Sequence, residues 1–291
     1  MKKIIALLMA GMMTATVFAG CGGSGSGESK ADNASKADDA SKTESVADGD
    51  SDWAYIQSKG KMTIGITYFE PMNYQTESGE LTGFETEFSK AVCEELGVEA
   101  EFQEIDWDSK EIELNSKKID CIWNGMTITD ERKENMSISV PYMENKQVMV
   151  CKKENVEKYS QSVTGANIVA EADSAGEEVC ASDAFFGETN YVSVASQATA
   201  LLEVKAGTAD VAVIDYIMSL GTIREDSDYA DLATVTEKSF APEQYGIAFR
   251  KGSDTTEKVN EAIQKVADSG KLKEISDKYN LTDMVLVKAA S

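Results

Sequence analysis

One arginine in this chain stands where it could do chemistry. The chain has three arginines and no histidine, and Arg132 ends the segment GMTITDER, residues 125–132. Thr129 can serve as the N-cap of a helix, and the two acidic residues after it suit the positive end of a helix dipole. A cation in the same turn does not suit it. Helix stability therefore does not explain the position of Arg132.

Two interpretations of Arg132 remain open from the residues alone. The guanidinium can pair locally on the surface with Glu131 or Glu134, as charged residues on one helix commonly do. Alternatively, it can hold a carboxylate through two parallel hydrogen bonds, with the Thr127 hydroxyl as a further donor. The second interpretation predicts a binding site for a small carboxylic acid.

Further side chains of interest follow predicted strands. In an open α/β sheet, ligands gather outside the carboxyl ends of the strands, so residues at those ends are site candidates. The candidates are Phe69 after KMTIGIT, Trp107 after EFQEI, Ser174 and Ala175 after ANIVAEA, and Asp215 at the end of ADVAVID.

Each of these residues also has a structural explanation. Ser174 and Glu177 form an S-x-x-E capping box, which marks a helix start but also leaves backbone N–H groups free for an anion. Asp215 can cap the following helix or accept a hydrogen bond from an ammonium group. Phe69 and Trp107 can be core aromatics or can pack against a ligand.

The elements that must position these residues alternate between strand and helix. This alternation predicts parallel or mixed sheets covered by helices, in two α/β units of about a hundred residues. Predicted strands are KMTIGIT, VEAEFQEI, IDCIW, ANIVAEA, YVSVAS, ADVAVID and a strand with turn in QYGIAFRKGSD. Predicted helices are a helix from Phe84 to Leu96 closed by Gly97, a helix in SKEIELNSKK, and helices over 176–184, 197–206, 216–223, 255–267 and 272–279.

The first fifty residues are expected to lie outside the fold. Residues 1–20 have a basic start and a short apolar run, the pattern of a secretory signal peptide. The segment ending at Cys21 resembles a bacterial lipoprotein box, in which the cysteine is lipidated. Residues 21–51 are rich in Gly, Ser and charged residues, a composition typical of a disordered tether. Export to the cell surface and anchoring by an N-terminal lipid are the predictions.

Composition limits the classes of partner. The formal charge is −23, and removing residues 1–20 leaves 26 basic against 51 acidic residues, which argues against nucleic acid. The chain offers no histidine and no metal-ligand spacing of cysteines, so neither a metal site nor a cofactor is predicted. The four cysteines after Cys21 are expected to be buried free thiols, and one disulfide among them stays open: they are Cys93, Cys121, Cys151 and Cys180.

Three segments carry a resemblance to a known family. GMTITDER, ELTGFETEFSKAVCEELGV and PEQYGIAFRKGSD resemble the polar amino acid family of periplasmic-type solute-binding proteins, in its lipoprotein form. The resemblance covers nearly all of residues 52–279. It implies a two-lobed type II periplasmic-binding-protein-like fold, with a mixed sheet in each lobe and two crossover strands as the hinge. Lobe one is expected over 52–150 and 244–291, and lobe two over 151–243.

The resemblance also implies roles for the site residues. Arg132 and Thr127 match the residues that bind the ligand α-carboxylate, and Gly125 matches a residue whose carbonyl accepts a hydrogen bond from the α-ammonium group. Ser174 and Ala175 match the helix start that also holds the carboxylate, and Asp215 matches the acid that binds the ammonium. Phe69 and Trp107 match two aromatic residues that enclose the ligand.

Two positions depart from the family pattern. Asp173 stands where a glycine is common, close to the expected anion site. Neither Ile66 nor Thr67 is acidic, whereas relatives that take basic amino acids often carry an aspartate there. The second departure argues against a lysine or arginine ligand.

The resulting expectation is a receptor rather than an enzyme. It captures an amino acid between its lobes as a monomer and delivers it to an ABC permease. One alternative is a dehydratase of an amino-acid pathway on the same scaffold, with catalysis by a cleft carboxylate such as Glu70 or Glu171. A second is the ligand-sensing domain of a signalling receptor, although no membrane span or signalling module follows Tyr279. The sequence does not name the amino acid.

Overall fold

The computed structural model describes residues 51–238 and 240–290, and these belong to one compact unit. The predicted signal peptide, Cys21 and all of the predicted tether except Ser51 lie outside the described residues. Within the described part, no helix is both long enough and apolar enough to cross a membrane.

Helices and strands alternate through most of the chain. The helices are α1 (Asp52–Lys59), α2 (Phe84–Leu96), α3 (Lys110–Asn115), α4 (Asp130–Asn135), α5 (Val156–Gln161), α6 (Ala175–Ser182), α7 (Gln197–Ala206), α8 (Tyr216–Thr222), α9 (Thr255–Asp268) and α10 (Lys271–Lys278). The strands are β1 (Lys61–Ile66), β2 (Tyr74–Gln75), β3 (Leu81–Thr82), β4 (Glu99–Glu104), β5 (Cys121–Ile122), β6 (Met136–Ile138), β7 (Met143–Lys152), β8 (Asn167–Glu171), β9 (Asn190–Val194), β10 (Val211–Asp215), β11 (Leu232–Val235), β12 (Pro242–Tyr245) and β13 (Ala248–Arg250).

Two sheets form the centres of two lobes. The first has the order β4-β1-β5-β13-β6, with β1 parallel to β4 and β5 and with β13 antiparallel to its neighbours. The second has the order β11-β7-β10-β8-β9, with β8 parallel to β9 and β10 and with β7 antiparallel to β10 and β11. The prediction of an α/β fold with a mixed sheet in each lobe is confirmed.

Strands β7 and β12 run side by side between the two lobes. The first four residues of β7 pair with β12, and from Gln147 onward β7 pairs with β10 and β11 of the second sheet. The predicted lobe boundaries, 150/151 and 243/244, fall inside these two strands. A ten-residue strand of this kind places residues 145 and 147 beside the cleft. The resemblance implied two crossover strands, but the sequence analysis gave this strand no bounds.

The buried face and the C-terminal end of helix α2 follow from its local sequence. Its buried residues include Phe84, Phe88 and Val92, which fall on one face at helical spacing. Gly97 ends the helix with φ 73° and donates its N–H to the carbonyls of Cys93 and Glu94. Glycine adopts this left-handed conformation without the steric cost of a Cβ atom. The predicted helix and its glycine cap are confirmed.

One predicted strand region is divided in the structure. The run QYGIAFRKGSD was predicted to give a strand and a turn; β13 and the turn after it lie there, but the first residues of the run belong to β12, which pairs in a different sheet. Gly246 lies between them, where an added Cβ atom would come within 2.5 Å of the Ile138 side chain. Because the chain passes from the crossover to the first sheet at this glycine, its β-rich composition does not form one continuous ladder.

Some elements were not predicted, and the four later cysteines are free. The unpredicted elements with more than three residues are α1, α5, β7 and β11. Cys93, Cys121 and Cys151 are buried and Cys180 is half-buried, all as free thiols. Burial raises the pKa of Cys93 and Cys180 to about 12, which keeps both thiols protonated at neutral pH.

Candidate functional site

A small cavity, with free space for little more than a water molecule, lies between the two lobes. Its walls come from loops that follow strands of both sheets. The lining residues are Trp107, Asn124, Gly125, Thr127 and Arg132 on one side and Glu171, Ser174, Ala175, Gln197 and Asp215 on the other. Seven of the eight predicted ligand-binding residues line this cavity, and Phe69 is the one that does not.

Arg132 is buried in the cleft rather than exposed on the helix surface. Only 5% of it is accessible, and its Nη1 donates to the Thr127 carbonyl at 2.8 Å. Its Nη2 donates to Glu178 Oε1 of α6 at 3.0 Å, so its ion pair spans the two lobes. The interpretation as a local surface pair with Glu131 or Glu134 is therefore wrong. Thr129 does cap α4, since its hydroxyl accepts from the Arg132 N–H at 3.1 Å.

Gly125 and Phe69 are packed against each other. Gly125 has φ 55°, and a Cβ atom there would lie 2.7 Å from Phe69 Cζ. Both constraints favour glycine. The Gly125 N–H donates to Glu85 Oε1 at 2.7 Å, which fixes the peptide that forms this wall. Phe69 is buried behind Gly125 as part of the hydrophobic core, whereas Trp107 reaches the cavity itself.

The loop before α6 contacts the opposite lobe. Asp173 has φ 56°, a conformation that glycine adopts freely and that aspartate tolerates better than most residues. Its carbonyl accepts from Trp107 Nε1 and from Lys110 Nζ, both at 3.1 Å. Ser174 caps α6 by accepting from the Glu177 N–H at 3.2 Å. These contacts bring the two lobes together above the cavity.

Asp215 does not cap the helix that follows it. Its side chain makes no capping hydrogen bond to α8 and is instead held by amide side chains. Oδ1 accepts two hydrogen bonds, one from Gln147 Nε2 at 2.8 Å and one from Asn145 Nδ2. Oδ2 accepts a hydrogen bond from Gln197 Nε2. Burial raises the pKa of Asp215 against the opposing effect of these donors. A buried carboxylate with this orientation is suited to accept hydrogen bonds from an ammonium group.

The sequence analysis did not assign four residues at the site to ligand binding. Three of them lie within one residue of the end of a predicted strand, so the rule used for Asp215 also selects them: they are Asn124, Glu171 and Gln197. Asn124 ties the wall to β1 by accepting from the Thr67 N–H at 2.9 Å. The fourth is Lys110, whose buried side chain lies over the Trp107 ring at 4.8 Å. Its sequence surroundings contain no signal for this role.

The cavity is acidic on the side of the second lobe. Burial raises the pKa of Glu171 to about 8, and the neighbouring charge of Asp215 adds to the effect. Burial also raises the pKa of Glu243 to about 7, again with a contribution from Asp215. Glu243 Oε1 accepts from Thr127 Oγ1 at 3.0 Å, which occupies the hydroxyl that was predicted to bind the ligand carboxylate.

The arrangement provides complementary charges for a zwitterion. Arg132 of the first lobe and the start of α6 in the second lobe offer donors, and Asp215 of the second lobe offers an acceptor. Among residues 51–238 and 240–290, no group of three or more acidic, cysteine or histidine side chains is arranged to hold a metal ion. The chemistry of the lining is that of binding a small charged molecule.

Comparisons with known proteins agree with this geometry. Residues 62–282 match the model of the family described as bacterial extracellular solute-binding proteins, family 3. The L-cystine-binding protein TcyJ of Escherichia coli strain K12 is 28% identical over 228 residues, which cover 77% of this chain and 84% of that protein.

Two solved structures are also similar. One is an ABC uptake transporter substrate-binding protein from Streptococcus pneumoniae with bound histidine. It has a TM-score of 0.75 and 30% identity, covering 81% of this chain and 99% of the other. The second is the ancestral amino acid-binding protein AncCDT-1, a precursor of cyclohexadienyl dehydratase. It has a TM-score of 0.71 and 27% identity, covering 79% of this chain and 99% of the other.

Proposed function

This chain belongs to the bacterial extracellular solute-binding proteins, family 3, and from that premise we propose that it captures a polar α-amino acid between its lobes. The captured amino acid is then delivered to an ABC importer. A relative named for L-cystine binding and a neighbour solved with histidine support an amino acid as the ligand class.

One observation carries the proposal. Arg132 of the first lobe and Asp215 of the second are each 5% accessible and face the same cavity. An α-amino acid presents a carboxylate to one and an ammonium group to the other. Because only a zwitterion contacts both, ligand binding favours the closed arrangement of the lobes.

The test is calorimetry of two proteins with two ligands. Removing one member of a desolvated charge pair leaves the other unmatched, so Arg132→Met should weaken binding of the free amino acid by about 2 to 5 kcal/mol. That corresponds to a loss of about thirty-fold or more in Kd. The methyl ester of the same amino acid should bind the wild type poorly.

The ester serves as the internal control. It should lose little further affinity in the Arg132→Met protein, since the contact is already missing. If the ester binds the wild type as tightly as the free amino acid does, Arg132 does not bind the carboxylate. The proposed function would then be wrong.

The cellular setting is part of the proposal. Relatives in the family act outside the cytoplasm, and the lipoprotein-like sequence around Cys21 supports export and anchoring by an N-terminal lipid on the outer face of the cell membrane. The protein should act as a monomer that docks on its permease, without a metal or a cofactor. Its amino acid is presented to the permease when the lobes reopen.

A second candidate function is a dehydratase reaction. A buried carboxyl group lines the cavity, and the raised pKa of Glu171, about 8, keeps it protonated at neutral pH, as a general acid requires. The similarity to a precursor of cyclohexadienyl dehydratase favours the same candidate. Incubation of the purified protein with prephenate or arogenate decides the question, since turnover would support the enzyme and its absence the receptor.

A further inference from the structure

The charges around the cavity do not balance when a simple zwitterion is the ligand. Three acids lie on the side of the second lobe or the crossover: Glu171, Asp215 and Glu243. In the described residues, none of the three has a lysine or arginine nitrogen within 4.0 Å. The nearby cations are engaged elsewhere, because Arg132 pairs with Glu178 and Lys110 pairs with Asp173.

Glu171 is the acid in direct contact with the cavity that has no assigned partner in the ligand. It is 4% accessible, lines the cavity at the end of β8, and is a neighbour of Asp215. The α-ammonium group of an amino acid pairs with Asp215 and leaves Glu171 without a positively charged partner. Burying an unpaired carboxylate is costly, so the site is complete only when a second positive charge accompanies the ligand or when Glu171 keeps its proton.

The position of Glu171 removes the argument against a basic ligand that was based on residues of the first lobe. Basic ligands were disfavoured because Ile66 and Thr67, at the end of β1, are not acidic. In the folded protein, β8 supplies a carboxylate to the same cavity from the opposite side. The lack of an acid at the end of β1 therefore does not exclude a cationic ligand.

We propose that Glu171 is the acceptor for a cationic side chain and that the ligand is a basic amino acid such as arginine, lysine or ornithine. This inference rests on the proposed function, since it assigns the side-chain end of the same ligand. Asp215 binds the α-ammonium group and Glu171 binds the guanidinium or terminal ammonium group.

Binding should also release a proton. With the lobes closed as in this structure, burial and Asp215 raise the pKa of Glu171 to about 8, so at pH 7 Glu171 holds its proton until a cation reaches it. An arriving cation favours the ionised carboxylate, so the proton leaves to solvent as the pair forms. Affinity for the basic ligand should rise as pH increases from 6 to 8.

The experiment compares ligands that differ in charge but little in shape. Calorimetry at pH 7 measures L-arginine against L-citrulline, L-lysine against Nε-acetyl-L-lysine, and L-ornithine against L-glutamine. We expect the basic member of at least one pair to bind the wild type more than tenfold more tightly. Repeating that titration in two buffers with different ionisation enthalpies should show release of up to one proton.

Two variants test whether Glu171 is the cause. Glu171→Gln keeps the shape and removes the charge, and it should reduce the preference for the basic ligand to less than threefold and abolish proton release. Glu188→Gln makes the same charge change at an exposed position of the second lobe and should alter both affinities less than twofold.

Each of the other possible results overturns a specific part of the proposal. Equal binding of the charged and uncharged members by the wild type overturns the cationic ligand while leaving the amino acid receptor intact. An unchanged preference in Glu171→Gln overturns Glu171 as the acceptor. If none of the six amino acids binds but L-cystine or L-histidine does, as judged also by a thermal shift, the inference fails and the proposed function stands; if those two also fail to bind, both fail.

Discussion

Glu85, Glu171 and Glu243 are carboxyl groups whose pKa values lie near neutrality in the folded protein. Burial is the largest cause in each case and raises the pKa to about 7, about 8 and about 7, respectively. Glu85 lies behind the cavity wall, where it accepts from the Gly125 N–H at 2.7 Å and from Asn73 Nδ2 at 2.8 Å. These acids make both stability and binding depend on pH.

The first prediction at the residue scale concerns stability without ligand. An acid whose folded pKa exceeds its unfolded value of 4.5 binds more protons in the folded state between those two values. The free energy of unfolding therefore falls as pH rises from about 5 to about 8. Glu171→Gln removes one of these groups, so the variant should gain stability over the wild type by more than about 1.4 kcal/mol at pH 8.5, the free energy of one pKa unit.

Denaturant melts of the two proteins at pH 5 and pH 8.5 measure this difference. At pH 5 the two should be nearly equal, because Glu171 is protonated in the folded wild type. A difference that is the same at both pH values would mean that Glu171 ionises in the empty protein as an exposed glutamate does.

At the scale of one element, helix α8 approaches the loop after β1 so closely that Gly221 has no space for a side chain. A Cβ atom there would lie 2.6 Å from Pro71 Cδ and 2.7 Å from the Glu70 carbonyl oxygen. These contacts join the two lobes, and Arg224 Nη1 reaches Glu70 Oε1 at 3.1 Å beside them. The helix and the loop belong to different lobes, so we expect this contact to be lost when the cleft opens.

Gly221→Ala should therefore have opposite effects on stability and binding. Alanine favours a helix over glycine by up to about 1 kcal/mol, so the open, empty protein should be as stable as the wild type or more stable. Closure should be hindered by the clash, and ligand affinity should fall more than about tenfold, or by about 1.4 kcal/mol.

Thermal melts and calorimetry on Gly221→Ala measure the two effects, with Thr222→Ala as the control on the same helix. The Thr222 hydroxyl donates only within the helix, to the Met218 carbonyl at 2.8 Å, so its loss should leave ligand affinity within about twofold. Affinity unchanged by Gly221→Ala would show that binding does not require this contact.

For the whole molecule, closure and membrane anchoring are separate properties. The cleft is closed by Asp173, which accepts from the buried Lys110, and by the ion pair between Arg132 and Glu178. The exposed ion pair between Arg224 and Glu70 adds little, since pairs of that kind contribute about 0 to 1 kcal/mol. All of these contacts lie in the described part of the chain, after the predicted tether.

The prediction at this scale is that Cys21→Ala releases the protein from the membrane and leaves ligand binding unchanged. Lipid anchoring depends on buried methylene groups, at about 0.8 kcal/mol each, whereas the cavity lies entirely within residues 107–215. Fractionation of cells followed by immunoblotting locates the protein, and calorimetry on the released form measures binding. Retention of the variant in the membrane fraction would contradict lipidation at Cys21.

By itself, the sequence determined the fold class and most positions of the candidate site. The helix from Phe84 to Leu96 and the strand at Lys61–Ile66 follow from periodicity and end signals that act over a few residues. Site residues such as Asp215 and Ser174 could be selected because a strand end is visible in the sequence and its location at the sheet edge follows from the fold.

Only the tertiary structure decided the partners and charges of those residues. Arg132 pairs with Glu178, which lies 46 positions later, and Asp215 is held by Asn145 and Gln147 of a crossover strand whose position the sequence analysis did not give. Glu171 faces the cavity with no cation within 4.0 Å among the described side chains. These facts depend on how two sheets meet across a cleft, and no local pattern of residues contains that information.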